Sequence, residues 1–290
     1  MKPPDAVREQ ADETPDGEGR ATPRYGTTRD QLDTLFASWG EPAYRAEQLW
    51  DALYRRRVPL DAATTLPAAL RARLAEQLPL TLDAEVAQTA RDGMTTKWLW
   101  QAGPDRAQLE AVLMRSPTRA TVCISSQAGC AMACTFCATG QAGFERHLHA
   151  AEIVEQVLRA QHHTEQRVSH VVFMGMGEPL ANYDPVWTAI ETLHGALGIS
   201  ARHITVSTVG VVPGMRRLAQ ENLPVTLAVS LHAPDDALRQ QLVPLNARYP
   251  IAEVLDAAAD VAGAHGRRVT FEYACIAGVN DSLALSLIHI

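Results

Sequence analysis

Three cysteines within one short loop, Cys130, Cys134 and Cys137, constrain the fold of this chain more than any other feature. They stand in the run Gly129-Cys130-Ala131-Met132-Ala133-Cys134-Thr135-Phe136-Cys137, spaced C-x3-C-x2-C. Thiolates this close can wrap one small metal cluster, and three ligands instead of four leave one iron of a cubane 4Fe-4S centre without a protein ligand. A structural zinc site would usually add a fourth Cys or His from a second paired knuckle; no such knuckle follows, though zinc stays the main alternative. A disulfide framework does not fit five cysteines in 290 residues, an odd number at low density with no signal peptide expected.

At 47% hydrophobic residues, 290 positions can bury one large core and a small accessory domain, and no apolar run approaches a membrane span. The expectation is a cytoplasmic, monomeric enzyme with no membrane partner. A formal charge of −7 argues mildly against a nucleic-acid partner, because phosphates are normally met by clustered Lys and Arg. Local basic groups do occur at Arg55-Arg56-Arg57, Arg115 with Arg119, Arg146-His147 with His149, Arg202-His203, Arg216-Arg217 and Arg267-Arg268. Each taken alone reads as a solvated face.

Residues 1–24 are polar and Pro/Gly-rich and read as a disordered tail. Over 25–83 the apolar spacing turns helical: Leu32, Leu35 and Phe36 share one face, Ala46, Leu49, Leu53 and Tyr54 a second, Leu70, Leu74 and Leu78 a third. This is a small helical accessory domain. Residues 84–118 form a connecting β segment, with strands at 84–90, 95–101 and 108–115 separated by Asp92-Gly93 and Gly103-Pro104-Asp105.

The core, 119–282, alternates strand, loop and helix. Strands are expected at 121–126, 169–175, 204–208, 225–231 and 268–275, apolar on both faces as parallel strands require. Helices at 150–163, 185–197, 213–220 and 251–264 lie between them. Such alternation predicts a parallel (β/α) barrel or an open doubly wound sheet, with the chemistry at the carboxyl ends of the strands. That rule gathers the motifs. The cysteine loop follows the first strand and Gly175-Met176-Gly177-Glu178-Pro179 the second; Ser207-Thr208 ends the third and Ser230-Leu231-His232 the fourth. An iron with an open position can be chelated by the amino and carboxylate groups of S-adenosylmethionine (SAM), whose sulfonium one electron then cleaves. Glu178 can accept from the SAM ammonium, while Gly177 lets backbone approach a ligand and Ser207 and Ser230 suit its ribose and carboxylate.

The segments Cys123-Ile124-Ser125-Ser126-Gln127-Ala128-Gly129-Cys130, Phe173-Met174-Gly175-Met176-Gly177-Glu178-Pro179-Leu180, Val206-Ser207-Thr208 with Val211-Val212-Pro213, and Ser230-Leu231-His232-Ala233-Pro234 together resemble the RlmN family of radical SAM enzymes, with the Cfr methyltransferases as near relatives. The resemblance runs over about 27–281. It implies an α/β fold: a partial parallel (β/α) barrel of the radical SAM type beside the helical accessory domain. It also implies methylation of adenine carbon 2 in 23S ribosomal RNA and in tRNA next to the anticodon, with a 4Fe-4S cluster and SAM as cofactors and an electron donor such as flavodoxin. Cfr-like methylation of carbon 8, a small-molecule radical SAM reaction and a zinc RNA-binding module are the alternatives. By the same resemblance Cys130, Cys134 and Cys137 are the cluster ligands. Gly177, Glu178, Ser207, Ser230, Leu231 and His232 contact SAM, Cys123 assists product release by forming a disulfide, and Glu110 accepts a proton. Without the resemblance, Cys123 would be a small buried hydrophobe, Glu110 the solvated face of a strand and Phe136 a packing residue.

Family members continue with a sixth strand carrying a SAM-contacting asparagine, a basic region, and a methyl-carrying cysteine in a C-G-Q-like segment; none of these is recognised here. The apolar end at 283–290 lacks the polar face of a barrel helix and is expected to be non-native. Cys275 is assigned to the fifth strand as a core residue. Asn280, in a Gly-Val-Asn-Asp turn, is not taken for the missing asparagine.

Overall fold

The computed structural model describes residues 22–288. Its N-terminal part is helical: α1 (Arg29–Ser38), α2 (Tyr44–Trp50) and α3 (Ala68–Gln77) bury Leu32, Phe36, Leu49, Leu70 and Leu74 in a common core. A capping box starts α1, with Gln31 N–H donating to Thr28 Oγ1 at 3.3 Å and Thr28 N–H to Gln31 Oε1 at 2.8 Å. The tail expected over 1–24 ends earlier than its composition suggests. Arg24 is buried, its Nε donating at 3.0 Å to the carbonyl of Leu78 at the end of α3, and Tyr25 packs edge-on against Tyr54. A cation over the unsatisfied carbonyls of a helix C-terminus is a favourable anchor that composition does not reveal. The remainder of that tail, 1–21, lies outside the described residues.

Three antiparallel strands follow, β1 (Leu82–Thr89), β2 (Thr95–Ala102) and β3 (Ala107–Arg115), and β3 pairs antiparallel with β4 (Ala120–Cys123), placing Val112 opposite Cys123. Beyond β4 the chain runs through β5 (Gln127–Gly129), α4 (Ala138–Ala142), β6 (Phe144–His147), α5 (Ala150–Gln161), β7 (Val168–Phe173), α6 (Tyr183–Gly195), β8 (Ile204–Thr208), α7 (Val212–Leu218) and β9 (Thr226–Ser230). It ends with α8 (Asp236–Leu242), α9 (Ile251–His265), β10 (Thr270–Glu272) and α10 (Leu283–Ile288). One eight-stranded sheet has the order β1-β2-β3-β4-β7-β8-β9-β10, parallel from β4 onward. The connecting segment is therefore the outer part of the same sheet. Each new parallel strand is laid beside the previous one, the winding of an incomplete β/α barrel.

Two expectations change. Burial on both faces holds in the middle of β9, where Leu227, Ala228 and Val229 are all buried, but in β4 and β8 burial alternates, with Val122 and Val206 buried while Thr121, Cys123, Thr205 and Ser207 are half-buried. Helices cover one face; the other is the inner face of an unclosed barrel, and so carries short polar side chains. The fifth strand, expected over 268–275, shrinks to Thr270–Glu272, because β9 is its only partner among the described residues. Cys275 consequently lies past the strand and is exposed instead of in the core. At the far end Leu283 is 76% exposed on α10, and residues 289–290 fall outside the described residues. No helix among the described residues is long and apolar enough to cross a membrane.

Candidate functional site

The cysteine loop is the connection between β5 and β6. Gly129 opens it at φ 72°, where a Cβ would lie 2.1 Å from the carbonyl oxygen of Gly143, so only glycine lets the two strands close. Cys130 N–H donates to that carbonyl at 2.8 Å and Cys137 N–H to Cys134 O at 3.1 Å, curling the loop. Helix α8 backs it, with Thr135 N–H donating to Leu242 O at 3.0 Å and Cys134 buried against Ala233, Leu242 and Val243.

All three cysteines line one cavity of about 300 Å³. Its other walls come from successive strand ends: Gly177 and Glu178 after β7, Ser207 on β8, Ser230 and His232 at the end of β9, and Glu272 on β10. Burial pushes the thiol of Cys130 up to about 11, with Glu178 and Cys137 adding to the rise, and that of Cys134 up to about 12, with Cys130, Cys137 and Glu178 adding to it. Buried thiols that resist ionisation in each other's company become ligands when a polynuclear cation compensates the three charges. Among the described residues no three His, Cys, Asp or Glu side chains are placed to hold a single metal ion. The three free thiols lining one cavity are candidate ligands of an iron-sulfur cluster.

The G-x-G-E-P turn is fitted to the cysteine hairpin, and here the structure adds a reason for its glycines. A Cβ on Gly175 would sit 2.7 Å from Ile124 C and Ser125 Oγ, and one on Gly177, at φ 97°, 2.5 Å from Gln127 Cβ. The close approach is to the protein itself. Ser125 Oγ donates to Glu110 O at 2.6 Å and accepts from Met176 N–H at 2.8 Å, while Gln127 Oε1 accepts from Glu178 N–H at 2.8 Å and Asn182 Nδ2 donates to the carbonyls of Ser126 and Leu148. Glu178 is buried; Leu180 N–H donates to its Oε1 at 3.0 Å and Val209 N–H to its Oε2 at 2.9 Å. Loss of solvent raises its pKa to about 7 despite those donors.

Ser207 and Ser230 are half-buried and border the cavity, as the strand-end rule anticipates. His232 takes φ 61°, unusual for a non-glycine residue. Its Nδ1 accepts from Ala274 N–H at 3.0 Å, which makes the ring a donor at Nε2 when neutral, and burial lowers its pKa to about 4. Phe136 lies edge-on to it at 4.6 Å, at the cavity rim. Leu231 is not a wall residue: its N–H donates to Glu272 O at 3.0 Å and its carbonyl accepts from Arg239 at 3.2 Å.

Cys123 stands on the inner face of β4 beside the cavity residue Met174, whose N–H reaches its sulfur; burial still pushes the thiol up to about 11. Glu110 is not brought to the cavity wall. It lies on β3, half exposed, in a 2.8 Å ion pair with Lys97. Three of the six basic groups hold ion-paired arginines: Arg55 and Arg56 pair with Glu47 and Asp51, Arg146 with Asp105 and Glu152, and Arg217 with Asp184. Residues that the sequence reading left unassigned include Gln127, Met174, Glu272 and Arg239. Glu272 was within reach of the strand-end rule, had the fifth strand been ended where its partner ends.

The chain matches the family model of the radical SAM superfamily over residues 124–288 and that of the ribosomal RNA large subunit methyltransferase N-terminal domain over 25–79. A curated "Probable dual-specificity RNA methyltransferase RlmN" of Chloroflexus aurantiacus is 50% identical over 268 residues, 89% of this chain and 71% of that protein. One of Frankia alni, under the same name, is 52% identical over 273 residues, 89% of this chain and 65% of its own length. The crystal structure of a radical SAM methyltransferase from Sphaerobacter thermophilus superposes with a TM-score of 0.86 at 46% identity, covering 92% of this chain and 80% of that one.

Proposed function

Because this chain belongs to the radical SAM superfamily and, within it, to the RlmN RNA methyltransferases, we propose that it methylates carbon 2 of a specific adenine in 23S ribosomal RNA and of the adenine next to the anticodon in tRNA. The observation that carries the reading is the single cavity at the strand ends, where three cysteines meet Glu178, Ser207, Ser230 and His232. An adenine ring carbon is no nucleophile, so polar displacement on a methyl donor fails and radical chemistry is needed.

When bound, a 4Fe-4S cluster and SAM would together supply one-electron cleavage of the sulfonium. Cys130, Cys134 and Cys137 would hold the cluster. Glu178 offers a buried carboxylate to the ligand's ammonium, already oriented by two backbone N–H donors. Ser207 and Ser230 present hydroxyls, and His232, pinned through Nδ1, directs a neutral Nε2–H donor. Cys123 remains a protonated thiol until a partner sulfur or an adduct approaches, consistent with a role in product release. The target adenine would have to leave its stack to reach the inner face. We assign the methyl-carrying cysteine to none of the five in this chain. The proton acceptor proposed at Glu110 would need to release Lys97 first. An electron donor such as flavodoxin and a monomeric, cytoplasmic enzyme complete the reading.

The test is anaerobic incubation of cluster-loaded protein with isotopically labelled SAM and RNA fragments, followed by mass spectrometry of the nucleosides. It is run on this chain and on a chimera joined to the C-terminal segment of the Chloroflexus relative. The chimera should yield 2-methyladenosine, and Cys123→Ala in it should accumulate a covalent protein–RNA adduct. Formation of 8-methyladenosine would transfer the reading to the Cfr type; cleavage of SAM with no RNA product in either protein would overturn RNA methylation.

A further inference from the structure

Arg239, on α8, is fully buried at 0% exposure. Its guanidinium makes only neutral contacts: Nε donates to Leu231 O at 3.2 Å, Nη1 to Asn246 Oδ1 at 2.9 Å and Tyr249 O at 3.5 Å, and Nη2 to Val209 O at 2.5 Å. Among the described residues it has no carboxylate partner within ion-pair distance, whereas the half-buried Arg146 pairs with Asp105 and Glu152 and the half-buried Arg159 with Glu155. A buried charge without a counter-ion is costly, and an apolar side chain of similar volume would fill the same space at lower cost. The positive charge itself needs a reason.

What faces that charge supplies one. Of the groups able to carry negative charge, Asp236 and Cys134 interact with it. Asp236 is exposed and already accepts from Ile251 N–H at 2.8 Å. Cys134 lies across the packing between α8 and the cysteine loop. On the cavity side stands Val209, whose carbonyl accepts from Arg239 while its N–H donates to Glu178. The guanidinium is therefore one residue behind the cavity wall, with neither Glu178 nor any other buried carboxylate neutralising it directly.

We propose that Arg239 is the buried counter-charge of the cluster held by Cys130, Cys134 and Cys137. The inference rests on the reading of those cysteines as cluster ligands. Reduction of the cluster adds one negative charge to a site already surrounded by three thiolates, and a fixed cation in a low-dielectric wall stabilises the reduced form more than the oxidised form. Arg239 thereby raises the reduction potential. It is a positioning residue, acting through the field and through the carbonyls of Val209 and Leu231, and touches no substrate.

The experiment uses anaerobically reconstituted wild type, Arg239→Met, Arg239→Lys and Asn246→Asp. Iron and sulfide per chain are measured, then the midpoint potential in a dithionite titration followed by electron paramagnetic resonance. Asn246→Asp sets a carboxylate against Nη1 and neutralises the charge without deleting it, so the question stays answerable if Arg239→Met does not fold. Arg239→Met and Asn246→Asp should carry full iron and make reduction about tenfold harder, a fall of about 59 mV for one electron. Arg239→Lys should stay near wild type. An unchanged midpoint in Asn246→Asp with full iron, or a fall in Arg239→Lys as large as in Arg239→Met, overturns the inference. Failure of the wild type itself to take up iron would instead overturn the cluster reading.

Discussion

The two ends of the parallel sheet are built to different standards. At the β4–β7 end the cysteine hairpin and the G-x-G-E-P turn are joined by Ser125, Gln127 and Asn182 through side chain to backbone hydrogen bonds, with two glycines pressed onto the facing backbone and side chains. At the β9–β10 end the strand is three exposed residues long. Past its short ladder with β9 and the bonds of Leu231 and His232 N–H to Glu272 O, the segment that follows is clasped by an asparagine: Asn280 Nδ2 donates to His232 O and Ala274 O at 2.8 Å each, and its Oδ1 accepts from Ile276 N–H at 2.6 Å. The contrast teaches that the cysteine side of the cavity is pre-formed, while the side carrying His232 and Glu272 depends on a few local bonds. Asn280 is thus a clasp.

The most severe break is at the rigid end. Cys130→Ala, Cys134→Ala or Cys137→Ala should each abolish uptake of a 4Fe-4S cluster while leaving the fold intact, read by iron content and the visible absorption of the reconstituted protein. Iron equal to wild type in any one would remove that cysteine from the ligand set. Next, Gly177→Ala should cost about 3 kcal/mol or more in denaturant unfolding, since its Cβ would meet Gln127 at 2.5 Å and its φ is 97°. A loss below about 1 kcal/mol would show that the two loops are less tightly joined than their bonds suggest.

A pH effect sharpens the comparison. Glu178 has its folded pKa raised by burial from 4.5 to about 7, so the folded protein holds that proton more tightly than the unfolded chain does. Its contribution is complete below about pH 4.5 and is lost as pH rises through about 7. Before cluster loading, wild type should therefore lose on the order of 2 kcal/mol between pH 5 and pH 8 relative to Glu178→Gln. Parallel stability curves for the two proteins, measured by denaturant titration at several pH values, would contradict this. The mildest change is expected at the loose end, where Asn280→Ala should cost about 1 kcal/mol globally yet speed amide hydrogen exchange selectively from 272 to 281. Exchange accelerated equally around Gly175 to Glu178 would mean the two ends are one cooperative unit.

Local pattern was enough to place the helical N-terminal region, the five parallel strands and the three cysteines in one loop, because apolar periodicity and ligand spacing are properties of neighbours in the chain. The strand-end rule likewise brought Glu178, Ser207, Ser230 and His232 to one cavity, since it follows from parallel connectivity alone. Other features depended on contacts between residues far apart in sequence. That Arg24 is anchored, that Gly175 and Gly177 are required by Ser125 and Gln127, and that Glu110 is spent on Lys97 are facts about partners that no local window contains. The length of β10 and the exposure of Cys275 were set by how many strands flank them, a property of the sheet as a whole. Above all, only tertiary structure places the charge of Arg239 behind the cysteine loop: in sequence it lies more than a hundred residues away and reads as one more surface arginine, and burial without a counter-ion is what gives it meaning.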